Sequence, residues 1–183
     1  MIFTPTQPEG CFIIEPNVIK DGRGYFMESF NQERFEKGTG LKVNFVQDNQ
    51  SYSTRGVLRG LHYQTGNYAQ AKLVRVLQGE VLDVAVDIRP GSATYGQHVS
   101  VVLSGENNKQ LFVPRGFAHG FLVLSATATF FYKCDNLYNK ESEGGIMYND
   151  PAIAINWEMQ AEDLIISDKD QILPNLENSR AIW

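Results

Sequence analysis

The sequence predicts an all-β fold, either a sandwich or a barrel. Short segments rich in Val, Phe, Ile and Tyr recur along the 183 residues, and turns of Gly, Asn, Pro and Ser separate them. This spacing is typical of antiparallel sheets that close on themselves or pack face to face. Helical periodicity is scarce, so we expect few helices and only short ones.

One short helix is predicted near the N-terminus. The segment 31–37, NQERFEK, begins with an asparagine that can cap a helix, and an acidic residue follows in the first turn. Gly38 comes next, and glycine often terminates a helix. The pattern therefore predicts a helix that ends at Gly38.

Two strands of structural character are predicted in the middle of the chain. In the segment 80–88, EVLDVAVDI, four apolar side chains alternate with Asp83 and Asp87, as expected of a half-buried strand. The segment 98–104 repeats the alternation, with Val and Leu on one face and His98 and serines on the other. The region from Asp150 onward is less regular and is expected to wrap around the sheets.

Two of the three histidines lie in strand-like segments that also carry an arginine. The segment 57–64, VLRGLHYQ, contains Arg59 and His62, which would point to opposite faces of a regular strand. A bulge or bend at Gly60 would turn both side chains toward one cavity, because glycine inside a strand often marks such a site. The second histidine, His119, lies in VPRGFAHGF. Proton transfer on an anionic ligand is one interpretation of His62, and a hydrogen-bonded core histidine is the other.

The composition limits the class of protein. A chain of 183 residues with 43% hydrophobic and 20% charged residues suits one globular domain, predicted to span residues 1–183. The net charge of -5 argues against a general nucleic-acid binder, so binding of an anionic small molecule would need a local cluster of Arg and Lys.

No segment resembles an export signal or a membrane span, and a cytoplasmic location is expected. Cys11 and Cys134 lack CxxC spacing and are expected to be reduced thiols.

Several motifs together resemble one known family, the dTDP-4-dehydrorhamnose 3,5-epimerases, over nearly the whole chain. In order along the chain they are DGRGYFMESF, VQDNQS, RGLHYQ, QGEVLDVAVDIR, PRGFAHGF, FFYKCDN, EGG and SDKD. The resemblance implies a cupin-like jelly-roll barrel with a few short peripheral helices, working as a homodimer on a dTDP-linked 4-keto-6-deoxy sugar. It also implies the reaction, in which dTDP-4-dehydro-6-deoxy-D-glucose becomes dTDP-4-dehydro-L-rhamnose by inversion at C3 and C5 in dTDP-L-rhamnose biosynthesis.

The resemblance assigns four catalytic residues. His62 is implied as the base, with Asp170 as its carboxylate partner, although spacing alone leaves Asp168 as a competing assignment. Lys72 is implied beside the C4 oxygen, where an ammonium favours an enolate. Tyr132 is implied as the acid on the opposite face. From the residues alone, Asp170 could also be a solvated carboxylate and Lys72 a surface charge. The alternative for Tyr132 is an aromatic residue of the core.

The resemblance also implies a set of substrate-binding residues. Arg23, Arg59 and Lys169 correspond to positions that contact the nucleotide or diphosphate, and arginine's planar fork suits phosphate. Tyr138 is implied to stack on thymine. The further implied contacts are Glu28, Gln47, Asp48, Asn49 and Glu143, and the alternative for each is a polar side chain that is exposed at the surface and binds no ligand.

No metal and no cofactor are expected. His119 matches a PxGxxH segment with which many cupins supply a metal ligand, but RGLHYQ lacks the HxH pair and glutamate that would complete a ligand set. His119 is therefore expected to contact substrate or phosphate, or to be a buried structural histidine. Arg115 departs from the family pattern, in which an acid or another polar residue is common at this position.

Three rival functions remain open from the sequence. A mono-epimerase or ketoisomerase of a related nucleotide-linked 4-keto sugar would share the barrel and much of the site. A metal-dependent cupin oxygenase is disfavoured by the missing ligands. A non-catalytic carbohydrate-binding jelly roll would have no need of a base, a carboxylate partner and an opposed phenol.

Overall fold

A computed structural model describes residues 1–183 and contains two six-stranded sheets, which confirms the all-β prediction. Sheet 1 has the strand order β1 (Ile2–Pro5), β2 (Phe12–Glu15), β10 (Gln110–Val113), β7 (Lys72–Gln78), β12 (Thr127–Cys134) and β5 (Gln47–Thr54). Sheet 2 has the order β13 (Glu143–Gly145), β6 (Val57–Gln64), β11 (Phe117–Val123), β8 (Glu80–Asp87) and β9 (His98–Ser104), with the short β14 (Ile165–Ile166) parallel to β6.

The chain crosses repeatedly between the two sheets. Strands β5, β7, β10 and β12 belong to sheet 1, whereas β6, β8, β9 and β11 belong to sheet 2. Because apolar side chains of both sheets meet in one core between them, the two sheets pack face to face. This architecture is the predicted cupin-like jelly roll.

Three apolar clusters hold the sheets and their coverings together. The cluster between the sheets includes Phe130 of β12 and Phe121 of β11, whose rings stack with centroids 4.1 Å apart. A second cluster covers the outer face of sheet 2, where Trp157 and Ile182 of the C-terminal region pack on its strands. This packing confirms that the region after Asp150 wraps around the fold. The third cluster packs Phe35 on the outer face of sheet 1.

The single α-helix, α1 (Gln32–Thr39), confirms the predicted start and corrects the predicted end. The side chain of Asn31 caps the helix by accepting a hydrogen bond from the Arg34 amide at 3.0 Å. The helix continues through Gly38 to Thr39, and Gly40, whose φ of 74° is left-handed, caps its C-terminus. Gly38 is needed for packing instead, because a Cβ there would lie 2.2 Å from the ring of Phe3.

Strand β8 is buried on both faces, so the prediction of a half-buried strand is wrong. Asp83 and Asp87 are both fully buried, because one face of β8 meets the core between the sheets and the other lies beneath the C-terminal region. Asp87 is satisfied by Arg89, Ser92 and Thr94. Burial alone raises the pKa of Asp87, but these hydrogen bonds outweigh it and hold the pKa at about 2. Strand β9 turns Val99, Val101 and Leu103 toward the core, as predicted.

A two-stranded hairpin, here called the arm, is hydrogen-bonded to neither large sheet. It consists of β3 (Val18–Asp21) and β4 (Gly24–Met27). Large apolar side chains on the arm are exposed, and Phe26 is 70% exposed. Clustered apolar exposure of this kind marks an interaction surface. No helix of the protein is both long and apolar enough to cross a membrane.

Candidate active site

A cavity of about 580 Å³ opens between the two sheets and gathers most of the predicted site. All four predicted catalytic residues line it. The predicted residues in its wall are Asn49, Arg59, His62, Lys72, His119, Tyr132, Lys169 and Asp170. Side chains from distant parts of the sequence therefore meet in one place.

Strand β6 bends at Gly60, as predicted, and the bend brings Arg59 and His62 to the same side. His62 pairs with His119 and Arg59 pairs with Phe121 on β11, with a shift of register between the two pairs. Gly60 has φ of 134°, and a Cβ there would lie only 2.6 Å from the Cα of Gly120. Two glycines thus let β6 and β11 approach closely while Arg59 and His62 both face the cavity.

His62 is held by a buried carboxylate. Its Nε2 lies 2.7 Å from Oδ1 of Asp170, and the second carboxylate oxygen accepts the Gly60 amide at 3.4 Å. Burial alone raises the pKa of Asp170, but the hydrogen bonds from His62, Gly60 and Ser167 hold that pKa below its usual range. Asp168 is exposed and makes no such contact, so the hydrogen bonding favours Asp170 over the competing assignment.

A second histidine–carboxylate pair lies deeper in the same wall. Nε2 of His119 is 3.1 and 3.0 Å from the two oxygens of Asp83, and both side chains are buried. Sequence reasoning missed Asp83 because its alternation with apolar residues resembled the solvent face of a strand. The recognisable signal is a carboxylate in the central strand of a sheet that is covered on both sides.

Lys72 and Tyr132 belong to sheet 1 and face the histidines of sheet 2 across the cavity. The ammonium of Lys72 forms no ion pair or hydrogen bond and lies 5.8 Å from the centroid of the Tyr132 ring. Burial lowers the pKa of Lys72, although Cys134 and Asp83 partly oppose the effect. Burial also raises the pKa of Tyr132, so the phenol holds its proton more strongly than in water.

Three predicted binding residues do not line the cavity but are connected to its wall by hydrogen bonds and are here called the rim: Gln47, Tyr138 and Glu143. Nζ of Lys169 lies 2.7 Å from a carboxylate oxygen of Glu143. Lys169 directly precedes Asp170 in the sequence. Gln47 joins the rim by donating to Asn49 at 3.1 Å and accepting the Tyr138 amide at 3.1 Å. Tyr138 is 54% exposed, so part of its side chain is open to solvent.

Three predicted binding residues point away from this cavity. Asp48 pairs with Lys133 at 2.9 Å on the outer face of sheet 1, because it alternates with Asn49 on the strand. Arg23 lies at the tip of the arm with its side chain 90% exposed and bonds only to Asp21. Glu28 lies beyond the base of the arm, beside Arg34 at 3.1 Å.

The described residues include no cluster of three or more His, Cys, Asp or Glu side chains arranged to hold a metal ion. The absence of a metal and a cofactor therefore stays a prediction, to be tested by chelation. Cys11 and Cys134 are both buried and form no disulfide.

A family model described as dTDP-4-dehydrorhamnose 3,5-epimerase matches residues 5–178. The chain belongs to this family. The dTDP-4-dehydrorhamnose 3,5-epimerase of Escherichia coli is 55% identical to it over 172 residues, which are 94% of this chain and 92% of that protein.

Solved structures of epimerases agree with this family membership. The crystal structure of the dTDP-4-dehydrorhamnose 3,5-epimerase from Elizabethkingia anophelis matches with a TM-score of 0.93 and 55% identity, covering 96% of each chain. The dTDP-6-deoxy-D-glucose-3,5-epimerase from Legionella pneumophila, in complex with dTDP-4-keto-L-rhamnose, also has a TM-score of 0.93. It is 53% identical and covers 96% of this chain and 93% of its own.

Proposed function

We propose that this protein converts dTDP-4-dehydro-6-deoxy-D-glucose to dTDP-4-dehydro-L-rhamnose, acting as a 3,5-epimerase in dTDP-L-rhamnose biosynthesis. The observation that carries the proposal is the opposition of the two cavity walls. A carboxylate-bound histidine lies on sheet 2, and a lysine with a tyrosine lies on sheet 1. A substrate between them has a base on one face and an acid on the other.

The substrate chemistry requires that opposition. C3 and C5 flank the C4 ketone, so loss of a proton from either carbon gives an enolate whose charge rests on the C4 oxygen. Asp170 is ionised and only accepts, so it fixes the proton of His62 on Nε2 and leaves Nδ1 with a free lone pair. Nδ1 is then the base, and Asp170 stabilises the imidazolium that forms.

Lys72 and Tyr132 complete the cycle. The ammonium of Lys72 has no counter-ion in the protein, so its charge is available to the developing enolate oxygen. Tyr132 returns a proton on the face opposite His62, which inverts the carbon. Because the carbonyl already present serves as the electron sink, no redox cofactor or metal enters the scheme.

The nucleotide is proposed to lie across the rim. Arg59 and Lys169 supply positive charge for the diphosphate, and His119, held by Asp83, contributes a further donor or charge in the wall. The exposed ring of Tyr138 offers a stacking surface for thymine. Lys169 now binds Glu143, so phosphate competes with a carboxylate for the same ammonium.

We also propose a homodimer in which the arm of each protomer completes the site of its partner. Arg23 corresponds to a family position that contacts the nucleotide, yet it lies outside the cavity of its own chain. The apolar residues Ile19 and Phe26 leave the arm ready to pack on another surface. Size-exclusion chromatography with light scattering tests the dimer, and a wild-type protein that is active as a monomer would contradict the proposal.

Two coarser features belong with this proposal. We take residues 1–183 as one epimerase domain, supported by the clusters that tie the C-terminal region to sheet 2. A cytoplasmic location is supported by two buried cysteines that form no disulfide, because such thiols suit a reducing compartment.

The decisive experiment is NMR of the 4-keto sugar nucleotide incubated with the protein in heavy water. A 3,5-epimerase places deuterium at both C3 and C5 and yields the L-rhamno product. Exchange at one carbon alone would instead support the rival mono-epimerase, and no exchange at all would support a binding module. Activity should survive exhaustive chelation without added NAD, and a stoichiometric metal whose removal abolishes turnover would contradict the cofactor-free scheme.

A further inference from the structure

Lys72 differs from the other charged groups of the cavity wall because no side chain holds it in place. Each of the two histidines has a carboxylate partner, and Lys169 has Glu143. Lys72 has neither an ion pair nor a hydrogen bond, and it is the first residue of β7. The position of its ammonium therefore depends on the backbone at the start of that strand and on packing against the Tyr132 ring.

Asp135 forms two hydrogen bonds at the start of β7. The Ala71 amide donates to Oδ1 of Asp135 at 2.7 Å, and the Asp135 amide donates to the Ala71 carbonyl at 3.1 Å. In the adjacent rung of the ladder, Lys72 pairs with Cys134. The two bonds between Ala71 and Asp135 thus extend the pairing of β7 with β12 one residue past Lys72.

Arg115 connects the end of a third strand, β10, to the carboxylate of Asp135. It lies in the turn after β10, the strand that pairs with the other edge of β7, where Val113 faces Lys72. Nε of Arg115 donates to Oδ2 of Asp135 at 2.8 Å, and the Asp135 side chain is only 10% exposed. Arg115 is the residue that departs from the family pattern, and this contact is what it makes in the structure.

We propose that Asp135, secured by Arg115, is a positioning residue that fixes Lys72 opposite His62. The inference rests on the proposed function, since it presumes that Lys72 stabilises an enolate. Asp135 connects the ends of β7, β10 and β12. Its carboxylate accepts the Ala71 amide, for which the pairing of the strands provides no backbone acceptor.

The expected consequence of losing the carboxylate is misplacement of the ammonium and not loss of the fold. The three strands keep their ladders and their apolar cluster. A preorganised charge loses much of its effect when it shifts, and a displacement of about 1 Å can cost on the order of 10²-fold in rate. Binding of the nucleotide, which lies across the rim, should change little.

The test compares Asp135→Ala with Asp135→Asn. Asp135→Ala should lower kcat by about 10- to 100-fold with KM nearly unchanged. Asp135→Asn keeps an oxygen for the Ala71 amide but turns an NH2 group toward Nε of Arg115, so it should recover part of that rate. Asn107→Ala is the matched control, because Asn107 accepts the Ser104 and Lys109 amides at the far end of β10. It should lower the melting temperature without lowering kcat.

A double-mutant cycle with Lys72→Ala separates positioning from general stability. If Asp135 acts through Lys72, then Asp135→Ala should cost no further rate in the Lys72→Ala background. An equal loss in both backgrounds would overturn the proposal, and so would a wild-type kcat for Asp135→Ala. Wild-type protein that fails to exchange deuterium would remove the proposed function and this inference together. An active wild type with an unaffected Asp135→Ala would remove the inference alone.

Discussion

The two walls of the cavity hold their functional side chains in different ways. On sheet 2, His62 and His119 are each bonded to a buried carboxylate. On sheet 1, Lys72 and Tyr132 have no such partner, and their pKa values are shifted mainly by burial. The two histidines are oriented by carboxylate side chains, whereas Lys72 and Tyr132 are oriented by their strands. Substitutions on the two walls should therefore fail in different ways.

The largest effect is expected from removing the base. His62→Asn should lower deuterium exchange at both C3 and C5 by on the order of 10² to 10⁴, because loss of a general base has this cost. Nucleotide binding, measured by calorimetry, should stay close to wild type. Near-normal exchange in this variant would show that the base is another residue. The wall of sheet 2 would then not supply the base.

A loss no larger than this is expected when the base stays but its partner changes. Asp170→Asn can bond to the imidazole in the wrong tautomer, so turnover should fall by up to about 10⁴-fold. Asp168→Asn is the matched control on the same turn, and its turnover should equal that of wild type. Equal turnover in the two variants would remove Asp170 from the mechanism.

Removing the phenol should separate abstraction from inversion. Tyr132→Phe leaves His62 and Lys72 to form the enolate, so solvent deuterium should still enter the sugar. Because reprotonation then comes from the face of His62, labelled sugar of unchanged configuration should accumulate in the NMR spectrum. Full inversion at both carbons would point to ordered water or another side chain as the acid.

The smallest effect on activity is expected from a structural carboxylate on the strand that carries Asp83. The depressed pKa of Asp87, about 2, means that its hydrogen bonds stabilise the fold fully above the ordinary pKa near 3.8 and lose effect as pH falls toward 2. Asp87→Asn should lower the free energy of unfolding by about 1 to 2 kcal/mol at neutral pH. The difference from wild type should shrink in acid, as denaturant titrations at pH 7 and pH 3 would measure, while kcat stays unchanged. A constant difference would contradict the ionic origin.

Features that depend on neighbouring residues were predictable from the sequence. The Asn31 cap depends on the amide three residues later, and the bend at Gly60 depends on a glycine inside a strand. The end of α1 was not predictable, because Gly38 is required by Phe3, which lies far away in the sequence.

The candidate site was predictable only in part, for the same reason. Motifs in the order of a known family pointed to His62, Lys72, Tyr132 and Asp170, and the fold brings all four together. Asp83 was missed because its face of β8 is buried by the packing of sheet 1 on sheet 2, and no local pattern in the sequence shows that packing. The position of Arg23 outside its own cavity could not be foreseen, since no sequence pattern shows which cavity an arm reaches.

The arm has a consequence for genetics. If each cavity combines the catalytic residues of one protomer with the arm of the other, a chain lacking Arg23 and a chain lacking His62 carry defects in different halves of a site. In a mixed dimer, one cavity would receive both defects and the other would receive neither. Two inactive alleles would then complement each other in the same cell, restoring up to half of the sites in each mixed dimer.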